Sequence, residues 1–282
     1  MGIKEIPFVK MHGLGNDYVY VLALESDIDN PEDLARKISD RHFGVGGDGL
    51  VMICKSDKAD FKMRMFNNDG SEAQMCGNAS RCIAKLIFDR NLSDKQSLTL
   101  ETLAGIKHLR LNLKGGRVES VTVNMGKPVL DPALIPVKKS SDSSQTLKTV
   151  IKGTEFEIFP VSMGNPHGVI FLTLSDTDFE KFGPLLEHDD IWPEKANIEF
   201  VEVVNKNEIS MRVWERGTGE TLACGTGACA SAVASILSGQ TDREVLVRMK
   251  GGDLKIKLNE NDEVEMTGEA VTVAEGIYFY EK

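Results

Sequence analysis

The chain has 282 residues, 41% hydrophobic and 27% charged, enough for two domains of about 140 residues with real cores. A net charge of −10 and a pI of about 5.1 exclude the basic face of a nucleic-acid binder, and short basic clusters such as Lys138-Lys139 are broken up by acids. The longest apolar run, Tyr18 to Leu24, falls far short of the ~20 residues of a membrane span, and the start MGIKEIPFVKMHG carries neither a signal peptide nor, with Ile6, a myristoylation signal, so a cytoplasmic protein without a membrane partner is expected.

In chain order, Tyr18–Leu24 reads as the first strand and Pro31–Arg41 as a surface helix with a polar face. Gly44-Val45-Gly46-Gly47-Asp48-Gly49 satisfies G-x-G-x-x-G, but a helix precedes it and the strand Gly49–Ile53 follows. A dinucleotide site needs the reverse order, so a Rossmann domain is rejected. GLGN at 13–16 lacks the Lys and Ser/Thr of a phosphate loop. Strands follow at Phe61–Phe66, Leu98–Thr102, Leu109–Leu113 and Val118–Asn124, with a helix from about Asn78 to Arg90 whose apolar stripe is Ala79, Cys82, Ile83, Leu86 and Ile87. The polar stretch Lys138–Lys148 reads as a loop close to a domain junction. Beyond it come strands at Phe156–Phe159, Gly168–Leu172, Ile198–Val204, Glu208–Trp214, Val245–Met249, Leu254–Leu258 and Glu263–Thr267. A helix from about Thr226 to Leu237 is small or apolar nearly all round and should be buried, as by a sheet curled around it. Turns at Lys114-Gly115-Gly116 and Asn259–Asp262 imply mostly antiparallel pairing. The fold class is thus α/β in the α+β sense.

The five cysteines are Cys54, Cys76, Cys82, Cys224 and Cys229. An odd count argues against a disulfide framework. There is no C-x-x-C, and nothing completes a zinc site around Cys224 and Cys229, so no metal is expected. Cys54, Cys82 and Cys229 fit small buried hydrophobes.

Cys76 and Cys224 stand apart because the chain repeats itself around them. Shifted by 148 positions, MRMFNNDGSEAQMCG falls on MRVWERGTGETLACG, matching Met63, Arg64, Glu72, Cys76 and Gly77 to Met211, Arg212, Glu220, Cys224 and Gly225. Shifted by 149, Gly15-Asn16 falls on Gly164-Asn165. Two matches in order at almost one offset indicate two related halves.

Each Cys-Gly pair opens a helix, where free N–H groups and the positive dipole end favour negative charge. That lowers a thiol from its usual ~8.5 toward neutrality and lets the N–H groups of Gly77, Asn78, Gly225 and Thr226 hold a carboxylate. Two equivalent thiols suit a racemase, which removes a proton from one face of a carbon and returns one to the other. One thiol is then ionised while the other is not, and the pair titrates jointly. Asn16, Asn67 and Asn165 fit both a cleft and a turn. Arg216, after a strand and beside Glu215, fits a carboxylate clamp or a surface ion pair. His167 fits a group that orients or deprotonates a thiol, or a structural histidine.

FVKMHGLGNDYVYV, RHFGVGGDG, MFNNDGSEAQMCGNASRC, SMGNPHGV and WERGTGETLACGTGACA, in this order over residues 8–230, resemble diaminopimelate epimerase. The resemblance implies a cofactor-independent isomerase that converts LL-2,6-diaminopimelate to the meso form, in lysine and cell-wall precursor biosynthesis. It implies two pseudo-symmetric domains, each a sheet rolled around a central helix, over residues 1–124 with 270–282 and over 125–269. By the same resemblance Cys76 is the proton donor and Cys224 the acceptor in that direction, and Gly77, Asn78, Gly225 and Thr226 hold the reacting carboxylate. Asn16, Asn67, Asn165, Asn197, Glu215 and Arg216 bind the rest of the substrate, while His167 and Glu215 tune the thiols. Gly49 stands where many members have Gln. Ala274 stands where members that dimerise often have Tyr, which leaves a homodimer open. The competing readings are a proline or hydroxyproline racemase of the same fold, a thiol redox protein and a non-catalytic binding protein.

Overall fold

The computed structural model describes residues 3–25, 28–138 and 145–281. The chain divides into two compact units, residues 1–124 with 267–282, and 125–266.

The first unit runs β1 (Ile3–Gly13), β2 (Asn16–Ala23), α1 (Pro31–Ser39), β3 (Gly49–Cys54), β4 (Phe61–Asn67), β5 (Glu72–Ala73), α2 (Gly77–Asp89), β6 (Ser97–Thr102), β7 (Gly105–Lys114) and β8 (Arg117–Gly126). The second runs β9 (Leu147–Ile151), β10 (Thr154–Ser162), β11 (Pro166–Ile170), α3 (Asp176–Glu187), β12 (Asn197–Asn205), β13 (Glu208–Glu215), β14 (Gly219–Glu220), α4 (Gly225–Leu237), β15 (Glu244–Met249) and β16 (Gly252–Leu258). β17 (Val264–Gly268) leads out of it, and β18 (Val271–Glu281) returns to pair antiparallel with β1.

The two units share one wiring. In the first, β1 pairs with β2, β2 with β3, β3 with β4, β4 with β6 and β6 with β7. In the second, β10 pairs with β11, β11 with β12, β12 with β13, β13 with β15 and β15 with β16. Only β2–β3 and β4–β6, and their counterparts β11–β12 and β13–β15, are parallel among these pairs. Register is kept too. Tyr18 lies opposite Gly49 in one unit, and His167 opposite Asn197 in the other. Even an ion pair recurs: Arg64 Nε to Glu72 Oε1 at 2.8 Å, and Arg212 Nε to Glu220 Oε1 at 2.9 Å.

Each sheet carries a helix on either face, and side-chain alternation assigns the residues to them. Val19, Val21, Leu50, Met52 and Phe66 form a core with Leu34, Ala35 and Ile38 of α1. Ile198 and Phe200 do the same with Phe179, Phe182 and Leu186 of α3. The alternate residues, such as Val51 and Glu199, belong to the other face, toward α2 and α4. With both faces covered, β3 is buried along its whole length. α4 is buried from Gly227 to Ser235, as its all-round small and apolar sequence requires.

All the expected strands and helices form, with ends shifted by a few residues. The sequence pattern does not reveal β1, β9, α3 or the two-residue strands β5 and β14. Pro7 interrupts the alternation of β1, yet lies opposite Ile277 on β18. α3 announces itself by Ser175, whose Oγ accepts from the Asp178 N–H at 3.2 Å, but Gly183 and Pro184 blur its helical pattern. The loop expectation at 138–148 needs correcting. Residues 139–144 lie outside the described residues, Leu147 and Lys148 already belong to β9, and the boundary between units falls after Asn124.

Candidate active site

In the first unit the β1–β2 turn is built by Leu14 (φ 59°) and Gly15 (φ 84°), two consecutive left-handed residues that suit a tight hairpin. It sets Asn16 at the head of β2. Asn16 Nδ2 donates to Asp48 Oδ2 at 2.7 Å, and its Oδ1 accepts from Asn78 Nδ2 at 3.3 Å and from Cys76 Sγ at 3.5 Å. Cys76 is the N-cap of α2, extended at φ −138°, and its sulfur accepts from the Ala79 N–H at 3.5 Å. Asn16, Cys76, Gly77 and Asn78 therefore form one cluster. Asn67, at the end of β4, donates to Ser71 Oγ at 3.0 Å. Gly49 contributes no side chain, and a Cβ there would lie 2.1 Å from the Phe66 carbonyl oxygen.

In the second unit Cys224 is the extended N-cap of α4, with Sγ 3.5 Å from Thr226 Oγ1. Around it the side chains are acids and a histidine. His167 Nδ1 lies 2.7 Å from Glu199 Oε1 and Nε2 lies 3.1 Å from Asn165 Oδ1, with the imidazole and Glu199 fully buried. Glu215 accepts a short hydrogen bond from Thr221 Oγ1. Asn197 Nδ2 donates to the Pro166 carbonyl at 3.0 Å, and its Oδ1 accepts from the Arg216 N–H at 3.0 Å. Arg216 Nη1 donates to the Glu194 carbonyl at 3.0 Å.

Burial pushes the Cys224 thiol well above its ordinary value, and the charges of Glu215 and Glu199 add to the push. This corrects the expectation that a helix N-terminus lowers it. Removing a thiolate from water beside two carboxylates outweighs a dipole worth about 0.3–1 kcal/mol. Burial likewise raises the Glu215 carboxyl, against hydrogen bonds from Thr221 and Cys224 that lower it.

Two residues escaped sequence reading. Glu187, at the end of α3, is buried and accepts from Trp214 Nε1 and from the Gly217 N–H, both at 2.9 Å. It thereby anchors the turn that carries Glu215 and Arg216. Glu199 was missed because a charged residue between Ile198 and Phe200 reads as the wet side of a strand. Among the described residues no cluster of three or more His, Cys, Asp or Glu is arranged to hold a metal.

The diaminopimelate epimerase family model matches residues 8–130 and 159–273. The chain is 54% identical over 271 residues to the diaminopimelate epimerase of Acetivibrio thermocellus, covering 95% of this chain and 97% of that one. It is 51% identical to that of Methanococcus maripaludis strain S2, over 95% and 98%. Among solved structures, a Bacillus anthracis phenazine biosynthesis protein of the PhzF family superposes with a TM-score of 0.70 at 19% identity, over 97% of this chain and 99% of that one. A hydroxyproline epimerase from Agrobacterium vitis superposes at 0.68 and 15%, over 99% and 92%. Those two likenesses are of fold, while the curated relatives and the family model span nearly the whole sequence. The chain belongs to the diaminopimelate epimerase family.

Proposed function

We propose that Cys76 and Cys224 are the acid–base pair with which this chain carries out its family's reaction, the epimerisation of LL- to meso-2,6-diaminopimelate in lysine biosynthesis. The observation that carries this reading is the repetition of one thiol at one place, the N-cap of α2 and of α4, in two units of the same wiring. Each thiol addresses one face of the substrate's α-carbon. The N–H groups of Gly77, Asn78, Gly225 and Thr226 hold the carboxylate on which carbanion charge develops. Asn16, Asn67, Asn165, Asn197, Glu215 and Arg216 bind the remainder, including the distal amino-acid end.

The raised Cys224 thiol has a consequence for direction. It starts protonated, ready to donate when meso substrate is converted to LL. For the LL-to-meso direction Cys224 must first lose that proton, and Glu215, hydrogen-bonded to it and itself raised by burial, is the group that takes it. Cys76 then donates on the opposite face.

A cytoplasmic location, a supply role for cell-wall precursors and the two units as separate domains belong to the same reading. So does a homodimer. On β18, Val273, Ile277 and Phe279 are 57%, 53% and 61% exposed, an apolar row suited to a second copy. Ile277→Asp should convert a dimer to a monomer in sedimentation, and an unchanged mass would remove this face from consideration.

The decisive experiment follows entry of solvent deuterium at the α-carbon without added cofactor. Wild-type enzyme should exchange and epimerise diaminopimelate, while Cys76→Ala and Cys224→Ala each lose epimerisation by at least about 100-fold. Full turnover surviving either change would end the two-thiol mechanism. Turnover of proline but not diaminopimelate would end the substrate assignment.

A further inference from the structure

The loop GVGGDG at 44–49 has the glycine spacing of a nucleotide loop, but its N–H groups are already engaged. Those of Gly44, Val45, Gly46 and Gly47 donate to the Asp40, Ile38 and Ser39 carbonyls at the end of α1, at 2.9 to 3.0 Å. The loop is thereby fastened to the helix. It also lies against the β1–β2 hairpin, where a Cβ on Gly47 would come within 3.1 Å of the Asp17 carbonyl oxygen. This brings Asp48 to the point where three pieces of the first unit meet. Its N–H donates to the Asp17 carbonyl at 2.6 Å, and its own carbonyl accepts from the Asn68 N–H at 3.1 Å. Asp48 therefore joins the hairpin that carries Asn16 to the turn that follows Asn67.

The side chain of Asp48 reaches back to the head of β2. Oδ2 accepts from Asn16 Nδ2 at 2.7 Å and from the Asp17 N–H at 3.1 Å, while Oδ1 accepts from Arg41 Nη2 at 3.0 Å. A backbone N–H and a guanidinium only donate, so both carboxylate oxygens act as acceptors. The end of the Asn16 amide that meets Oδ2 is therefore its nitrogen. Its oxygen turns toward Cys76 Sγ and Asn78 Nδ2, at 3.5 and 3.3 Å. We propose that Asp48 is a positioning residue for Cys76, fixing the Asn16 hairpin and its amide so that the Asn16 oxygen is held against the thiol. The inference rests on the roles proposed above for Cys76 and Asn16.

Neighbouring charges keep the loop and the hairpin together. Arg41 pairs with Asp17 at 2.8 Å as well as with Asp48, and Lys10 pairs with Asp17 at 2.7 Å. The second unit has no counterpart to Asp48. By strand register its place is taken by the buried Ala196, which offers Asn165 no side-chain acceptor. The clamp therefore serves one thiol.

The test uses the full-length enzyme with Asp48→Ala and Asp48→Asn. Without substrate, hydrogen exchange of the Asn16 side-chain amide and of the Asp17 N–H is read by NMR, the Asn16 signal being assigned by its loss in Asn16→Ser. Both should exchange at least about 10-fold faster in Asp48→Ala, which removes their acceptor. With LL-diaminopimelate in deuterium oxide, two products are counted. Substrate that gains deuterium with its configuration kept needs Cys224 alone, whereas inverted product needs Cys76 as well. In Asp48→Ala inversion should fall about 100-fold and retained exchange less than about threefold. Asp48→Asn, which still offers Asn16 an oxygen, should recover about tenfold of the inversion. Unchanged amide exchange in Asp48→Ala would overturn the proposal. So would an Asp48→Asn enzyme no faster than Asp48→Ala, or equal losses of inversion and retained exchange, the mark of a loosened fold. Because the amides are read without substrate, failure of the wild-type enzyme to turn over diaminopimelate would sink the functional reading and leave that measurement to decide the clamp.

Discussion

The two thiols sit on the same backbone in opposite surroundings. Cys76 meets amides, with Asn16 and Asn78 joined beside it. Cys224 meets ionisable groups, with Glu215, Glu199 and His167 around it. Matched by strand register, the first unit's Tyr18, Gly49, Val51, Asn67 and Ala79 stand where the second has His167, Asn197, Glu199, Glu215 and Gly227. Duplication kept what positions a thiol, namely the wiring and the helix start. Divergence fell on what sets its protonation. A reaction that needs one thiol charged and one neutral gains from such inequality, because two identical sites would leave the shared proton undecided.

Writing the second unit's chemistry into the first should have the largest effect. Val51→Glu places a carboxylate at a fully buried position with Tyr18 in place of the histidine. It should cost about 3–5 kcal/mol of stability, as an unpaired buried charge does, read from the urea midpoint. The double variant Tyr18→His with Val51→Glu should recover part of that loss. No recovery would mean that the pair depends on the α4 dipole more than on the histidine.

Glu187→Ala should cost about 1–3 kcal/mol, because Trp214 Nε1 and the Gly217 N–H lose their acceptor. Its signature is a KM that rises more than kcat falls, since the turn bearing Arg216 loosens while the thiols stay in place. Equal losses in both constants would instead tie Glu187 to the chemical step.

A smaller effect tests the thiol itself. The Cys224 pKa is raised in the folded state, so its contribution to stability is complete below the unfolded value near 9.0 and is lost as pH rises toward the folded one. Stability should therefore decline above about pH 9, and Cys224→Ala should flatten that decline. A decline of the same slope in the variant would place the raised group elsewhere.

The frame that carries the two thiols was legible in the sequence because it is written twice. Cys-Gly before two helical patterns and the 148-residue offset pointed to the two thiols, the helices they open and two related halves. The same repeat implied α3, since α1 sits between β2 and β3 and its counterpart must sit between β11 and β12. That inference was available, but Gly183 and Pro184 obscured the local pattern. Glu199 was hidden for a different reason. Alternation divides a strand into dry and wet faces, and that rule fails where helices cover both sides of a sheet. The sign of the Cys224 shift was hidden because sequence shows a helix start but not the desolvation around it.

β18 lies beside β1, and its Tyr280 is buried in the core that α1 covers. The first unit is therefore encoded in two pieces, while the second is one uninterrupted stretch. During synthesis the second unit can close as soon as it has left the ribosome, whereas the first must wait, with one flank of β1 unpaired, until the final strand emerges. Order of birth and order of completion are thus reversed, and the half made first is finished last.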